Sequence, residues 1–290
     1  MKVLVTGSAG RVGRAIVVGL MRRHQVVGLD CQPCSTAHIV GDLQDPAIMR
    51  RALDGVEVIV HSAALHAPHV GLRADTEFDA INVQMTAELM RQGARAGIRH
   101  FVFTSTTALY GHASTPKATA GWVDEQLSPQ PKTIYHRTKI AAETELQRLS
   151  LILGVPVTVL QMSRCFPEPA DQMAVYRLNR GVDARDVASA HARAIDKRLP
   201  GFHRFIISGA TPFQRQDCDA LKQHAAEVIA RRQPKLVQAF AERGWILPHS
   251  IDRVYDSSAA QCALGWQPRH GFESVLAMLD QQWSEVLPPL

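Results

Sequence analysis

The chain has 290 residues, 46% of them hydrophobic and 20% charged, enough for one large α/β domain or a main domain with a small appendage, with a core that needs no staples. The net charge of +5 comes from scattered pairs such as Arg22-Arg23, Arg50-Arg51 and Arg231-Arg232, with no interleaved aromatics, which argues against nucleic-acid binding and leaves a field suited to an anionic ligand. Five irregularly spaced cysteines, an N-terminus that enters a strand directly and the lack of any apolar run of spanning length predict a soluble cytoplasmic protein with reduced thiols.

Lys2-Val3-Leu4-Val5 predicts a buried strand, followed by a turn containing Gly7, Gly10 and Gly13 and a helix from Arg14 to Arg22. Strand, glycine turn and helix start in that order make a phosphate cradle. Glycine lets the backbone turn and approach a pyrophosphate, and the free N–H groups of the helix favour its charge. Gly7, Ala9, Gly10, Arg11, Val12 and Gly13 are the candidate contacts. Val26–Asp30 reads as a second strand ending on an acid, which would accept the ribose hydroxyls of a dinucleotide and repel a 2′-phosphate, favouring NAD over NADP. Arg11 and Arg22-Arg23 keep NADP open. Cys31 and Cys34 have no partner pair at zinc spacing.

His38–Leu43 is a short third strand, and Asp45-Pro46 caps a helix running to Leu53. Val56–Ala64 is the fourth strand, running into the small residues Ser62, Ala63 and Ala64, beside which a flat cofactor can lie. His61, His66 and His69 lack a completing carboxylate, so no metal is expected, and the loop after the strand suits a polar substrate. Apolar periodicity predicts a helix from Glu77 to Ala96, and His100–Thr106 is a fifth strand ending in three hydroxyls. The long polar segment Gly111–Lys132 reads as a surface flap.

Thr133–Leu153 is a helix carrying Tyr135 and Lys139 at i, i+4, which puts phenol and ammonium on one face. A lysine cation and an oxidised nicotinamide nearby would favour phenolate, bringing an ordinarily weak acid toward working range. Val155–Leu160 is a sixth strand, Gln161–Pro169 an irregular loop, Asp183 opens a helix and Arg204–Ser208 is a late strand. The remainder is mostly helical.

This series resembles the extended short-chain dehydrogenase/reductases of the NAD-dependent epimerase/dehydratase group. The resemblance rests on Thr6-Gly7-x-x-Gly10-x-x-Gly13, Asp30, Asp42-Leu43, His61-x-Ala63-Ala64, Asn82-Val83, Ser105-Thr106 with Tyr110-Gly111, Tyr135-x-x-x-Lys139, Asp186-Val187-Ala188 and the stretch from Asp256 to Pro268. It implies an α/β, Rossmann-like doubly wound parallel sheet over residues 1–162. A smaller, mostly helical substrate-binding region is implied over 163–290, with 183–208 returning to the sheet. It further implies that Asp42 and Leu43 contact adenine and that Lys139 holds the nicotinamide ribose. Ser62, Ala63, Ala64, Asn82, Thr104, Tyr135, Cys165 and Phe166 would complete the cofactor site. Thr106 would hydrogen-bond the substrate oxygen, with Leu65, His66, Thr107 and Arg164 around the substrate. Many relatives pair as homodimers through the helices after strands four and five.

Departures narrow the chemistry. Where family dehydratases carry an acidic pair, this chain has Thr107 and Ala108, which disfavours loss of water. The stretch from Ser163 to Asp186 is short, so the expected substrate is a free sugar, sugar acid or polyol. Cys165–Pro169 is also similar to a segment of short uronate dehydrogenases, and Arg164, Arg177 or Arg180 could meet a substrate carboxylate. The alternatives are an epimerase that retains its NAD and a dinucleotide sensor without turnover.

Overall fold

The computed structural model describes residues 1–289. The first half of the chain forms β1 (Lys2–Thr6), α1 (Arg11–Leu20), β2 (Gln25–Asp30), β3 (Ile39–Val40), α2 (Pro46–Leu53), β4 (Val58–His61), α3 (Asp75–Asp79), α4 (Met85–Arg95), β5 (His100–Thr106), β6 (Gly121–Val123) and α5 (Ile134–Leu153). The second half forms β7 (Val157–Met162), α6 (Ala170–Asn179), α7 (Ala184–Lys197), β8 (Phe202–Ile207), α8 (Cys218–Gln223), α9 (Ala225–Arg232), α10 (Pro234–Arg243), β9 (Arg253–Tyr255), α11 (Ser258–Leu264) and α12 (Phe272–Asp280).

Seven strands make one parallel sheet in the order β3-β2-β1-β4-β5-β7-β8. A parallel sheet needs cover on both faces, and the strands are accordingly apolar on both. Val3 and Val5 of β1 join Val58, Val60 and Val102 under α1 and α7, whereas Leu4 points the other way, with Ile59, Phe101 and Phe103, under α2, α4 and α5. The strand order reverses at β1 and β4, and the crevice beyond their carboxyl ends is where such sheets bind ligands.

A third apolar cluster forms a separate lobe, in which Met173, Leu178, Val228, Leu236, Phe240, Val254, Phe272 and Val275 pack together. The chain returns from this lobe to the main sheet twice. α7 and β8 do so first, then α11 and Trp266, which joins the core under α1 and α7. The indole Nε1 donates to Ser189 Oγ at 2.9 Å, and the Asp186 carboxylate accepts from the backbone N–H groups of Arg269 and His270, both at 2.9 Å.

Several elements differ from the sequence reading. α1 starts at Arg11, inside the glycine turn, so Gly13 lies in its first turn. The helix expected over 77–96 is divided into α3, a π-helical turn at Ala80–Gln84 and α4. A π-turn adds a residue locally and so breaks the 3.6 period that a sequence pattern reports. The segment 111–132 is not a free flap: Gly121–Val123 pairs in parallel with Arg253–Tyr255, and Ala120 and Val123 are buried. Its anchorage is non-local, which is why its polar composition was misleading. β7 runs on to Met162, two residues into the expected loop, and α6 begins at Ala170, directly after that loop.

Trp266→Ala removes a side chain that is 1% exposed. It is expected to destabilise the protein by about 3–5 kcal/mol, the usual cost of emptying a buried aromatic site. Chemical denaturation read by circular dichroism measures this.

Candidate active site

The glycine turn is shaped by two close approaches. Gly7 has φ +70°, and a Cβ there would lie 2.7 Å from Ala63 N; a Cβ on Gly13 would lie 2.0 Å from Gly7 O. Without side chains at these points, α1 seats directly against β1 and the end of β4, and its first N–H groups face an open cavity. That cavity, of about 750 Å³, runs from the turn past the ends of β2, β4, β5 and β7 to Arg180, Arg253 and Tyr255 in the lobe.

At one end, Asp30 is held on the rim: Oδ2 accepts from Ala9 N and Oδ1 from Gln32 N, both at 2.9 Å. Asp42 and Leu43 line the same end. Along the middle run Ser62, Ala63 and Ala64, followed by Leu65 and His66.

At the other end the expected reactive groups converge. The Thr106 hydroxyl beside Tyr135 favours the phenolate, but burial prevails and pushes the phenol up to about 12. Lys139 is buried on the same helix face, with Nζ donating to Thr104 O at 2.8 Å and standing 4.1 Å from the centre of the Phe103 ring. Burial lowers its ammonium to about 7, against the pull of Glu143. The opposition to burial at the phenol therefore comes from Thr106, while the lysine turns its donor to the strand backbone. One end of the cavity can hold a dinucleotide phosphate and ribose, and the other can move a proton.

Residues 3–174 match the model of the NAD dependent epimerase/dehydratase family. The chain belongs to that family. Sterol demethylase protein B of Methylococcus capsulatus is 34% identical over 72% of this chain and 70% of that protein. A 3 beta-hydroxysteroid dehydrogenase/Delta 5-->4-isomerase of Mycobacterium tuberculosis is 36% identical over 37% of this chain, which spans about a third (32%) of that relative's length. Among solved structures, a short-chain dehydrogenase/reductase superfamily protein from Agrobacterium tumefaciens with bound NAD aligns at a TM-score of 0.72, covering 97% of this chain and 98% of that one at 21% identity.

The other residues singled out in the sequence divide by position. Gly10, Arg11, Val12, Thr104, Thr107, Arg164, Cys165 and Phe166 all line the cavity. Asn82 does not, in contrast to the expectation of a cofactor contact. It is buried behind the wall, its Oδ1 accepting from Leu65 N at 2.8 Å and its Nδ2 donating to Leu65 O at 2.9 Å and Thr138 Oγ1 at 3.1 Å. It shapes the site through Leu65, and the π-turn that aims it inward has no local sequence signature.

The three histidines do not converge. His61 is buried between Thr6 Oγ1 (2.7 Å) and Thr86 Oγ1 (2.9 Å) and held neutral, its pKa pushed down to about 3 by burial. His69 Nδ1 instead accepts from His66 N at 3.0 Å, and the His66 ring lies nearly parallel to Phe166. Arg177 is buried against Asp183 at 3.1 Å and so is not free for a substrate carboxylate. Arg164 pairs with Glu168, while Arg180 lies 3.5 Å from Asp252 and stacks on Tyr176. The cavity residues missed in the sequence, Met162, Arg253 and Tyr255 among them, reach the site only because β7 ends there and β9 pairs with β6.

Arg11, in the first turn of α1, pairs through Nη2 with Glu285 at 2.6 Å. A bound pyrophosphate must share or displace that carboxylate. Glu285→Gln is expected to tighten binding of ADP-ribose up to about fivefold, the range of a part-exposed ion pair. Titration calorimetry at low salt measures this.

Proposed function

We propose that the protein is an NAD-dependent oxidoreductase acting on a secondary hydroxyl, or the matching carbonyl, of a small sugar-like or sugar-acid substrate. The observation that carries this reading is the placement of Thr106, Tyr135 and Lys139 at one end of the cavity whose other end is the glycine cradle and Asp30. The cradle fits NAD because the close approaches at Gly7 and Gly13 seat the first turn of α1 beside the cavity, where its backbone N–H groups can meet a pyrophosphate, and Asp30 presents a carboxylate where the ribose hydroxyls belong.

When bound, NAD would supply the hydride acceptor or donor. Tyr135 takes the proton of the substrate hydroxyl in oxidation and returns one to the carbonyl oxygen in reduction. Thr106, beside the phenol on the cavity wall, orients the reacting oxygen. Lys139 holds positive charge behind them. Leu65, Phe166 and Met162 shield the reacting carbon from water. Thr107 and Ala108 supply no acid for elimination, so the chemistry stops at proton and hydride movement.

A cavity of about 750 Å³ that must seat a dinucleotide leaves space for a small substrate, and Arg164 and Arg180 stand at that end. A second reading, a sterol-like alcohol, draws on the names of two relatives and on the apolar Leu65, Met162 and Phe166. We further propose a cytoplasmic homodimer paired through α4 and α5; exposed Leu151 and Ile152 on α5 and free cysteines, two of them exposed, support this.

An absorbance screen of NAD and NADP against sugar acids, free sugars, nucleotide-sugars and hydroxysteroids tests the reading. NADH formation with a sugar or sugar acid is the expected result; a response to hydroxysteroids alone favours the second reading, and an isomerised product without net NADH identifies an epimerase. Tyr135→Phe is expected to lower kcat about 10²–10⁴-fold while leaving NAD affinity within about twofold, as loss of a general acid–base requires. Steady-state kinetics paired with NAD titration shows both.

A further inference from the structure

One turn beyond Lys139 on the same face of α5, Glu143 is 3% exposed yet lies behind the cavity wall. Its Oε1 accepts from the Ser105 hydroxyl of β5 at 2.5 Å and from the Gln161 amide of β7 at 3.0 Å. Its Oε2 accepts from the same amide at 3.0 Å and from Arg204 Nε of β8 at 2.7 Å. The amide is fixed in turn, its Oε1 accepting from the Tyr110 phenol at 2.8 Å. Three strands thus hold one carboxylate.

A buried carboxylate costs several kcal/mol of desolvation, and a partly exposed arginine offsets only a share of it. Packing alone would be served by a neutral side chain. We infer that Glu143 is a positioning residue for the reaction: its carboxylate, held by Ser105, Gln161 and Arg204, is the counter-charge that keeps the Lys139 ammonium protonated in the apolar wall behind Tyr135. The inference rests on the proposed roles of Tyr135 and Lys139.

The other groups facing Lys139 do not supply that charge. β5 presents the Phe103 ring and the Thr104 carbonyl. His61 of β4 and His66 of the following loop are kept neutral by burial and by the lysine itself. His191 of α7, bonded to Thr104 Oγ1 at 2.8 Å, is pushed down to about 4 by burial. Tyr135 remains a neutral phenol. Around Glu143, Arg204 is the facing cation; Tyr110 is neutral, its pKa raised by burial and by Glu125 and Glu143. Burial has already brought the ammonium to about 7, so losing Glu143 would leave it mostly uncharged at neutral pH.

The test is a titration of lysine labelled with ¹³C at Cε in the full-length chain without substrate, the Lys139 signal being assigned by its loss in Lys139→Met. Glu143→Gln is expected to lower the Lys139 midpoint by about one pH unit or more. Arg204→Gln, which keeps the carboxylate and removes its competing cation, is expected to raise it. A midpoint unmoved in Glu143→Gln, or moved the same way in both variants, overturns the inference. Should Glu143→Gln fail to fold, Arg204→Gln decides alone: a rise supports the pairing, and anything else overturns it. In turnover, the high-pH limb of kcat follows the midpoint if Glu143 positions the lysine; a limb that stays in place overturns that role. Because the titration needs no substrate, the expected shifts in a chain that turns over nothing would sink the proposed reaction and leave the charge pairing standing.

Discussion

The contact between the Gly13 Cα and the Gly7 carbonyl is the constraint on which the other parts of the site depend. A single methyl group there would lie 2.0 Å from the oxygen, so α1 reaches the end of β1 only because Gly13 carries no side chain, while the bare Gly7 lets the turn lie against Ala63 beyond β4. With α1 seated, its first turn presents backbone N–H groups to the crevice between β1 and β4, and the alternating faces of the sheet are sealed by α1 and α7 on one side and α2, α4 and α5 on the other. The cavity is what remains open at the carboxyl ends of the strands. Its position follows from the topology, and its chemistry from the few polar groups that the topology brings there.

Those groups are set by a layer of buried polar residues behind or in the cavity wall, of which His61 also lines the cavity. Asn82 holds Leu65 from behind, His61 joins Thr6 of β1 to Thr86 of α4, and Glu143 draws Ser105, Gln161 and Arg204 into one network. Each has hydrogen-bond partners on at least two elements, as buried polar groups require. The same low-dielectric setting raises the Tyr135 phenol and lowers the Lys139 ammonium. Burial opposes the ionised form of both, and the neighbouring Thr106 and Glu143 act in the contrary sense. The site is therefore poised by competition between desolvation and specific partners.

Much of this was legible in the residues. Gly7, Gly10 and Gly13 after an apolar run, and Tyr135 with Lys139 at helical spacing, are local patterns whose meaning does not depend on distant chain. The π-turn at Ala80–Gln84 was hidden because one extra residue in a turn leaves the apolar count nearly unchanged. The anchoring of Gly121–Val123 was hidden because its partner lies at Arg253–Tyr255, far along the chain. Arg177 read as a candidate substrate ligand, and only its burial against Asp183 removes it.

By itself, then, the sequence determined the parallel α/β order, the glycine turn before α1, the acid that ends β2 and the phenol–ammonium pair. Each of these is written in residues within one or two turns of one another, where backbone geometry translates spacing directly into position. Tertiary structure decided what surrounds them: that Asn82 acts through Leu65, that Arg11 meets Glu285, that the lobe lends Arg180, Arg253 and Tyr255 to the cavity, and that Glu143 stands behind Lys139 under three strands. Apart from Lys139 and Glu143, which are one helical turn apart, those relations join residues tens to hundreds of positions apart, and burial and electrostatic field exist only once the chain has brought them together.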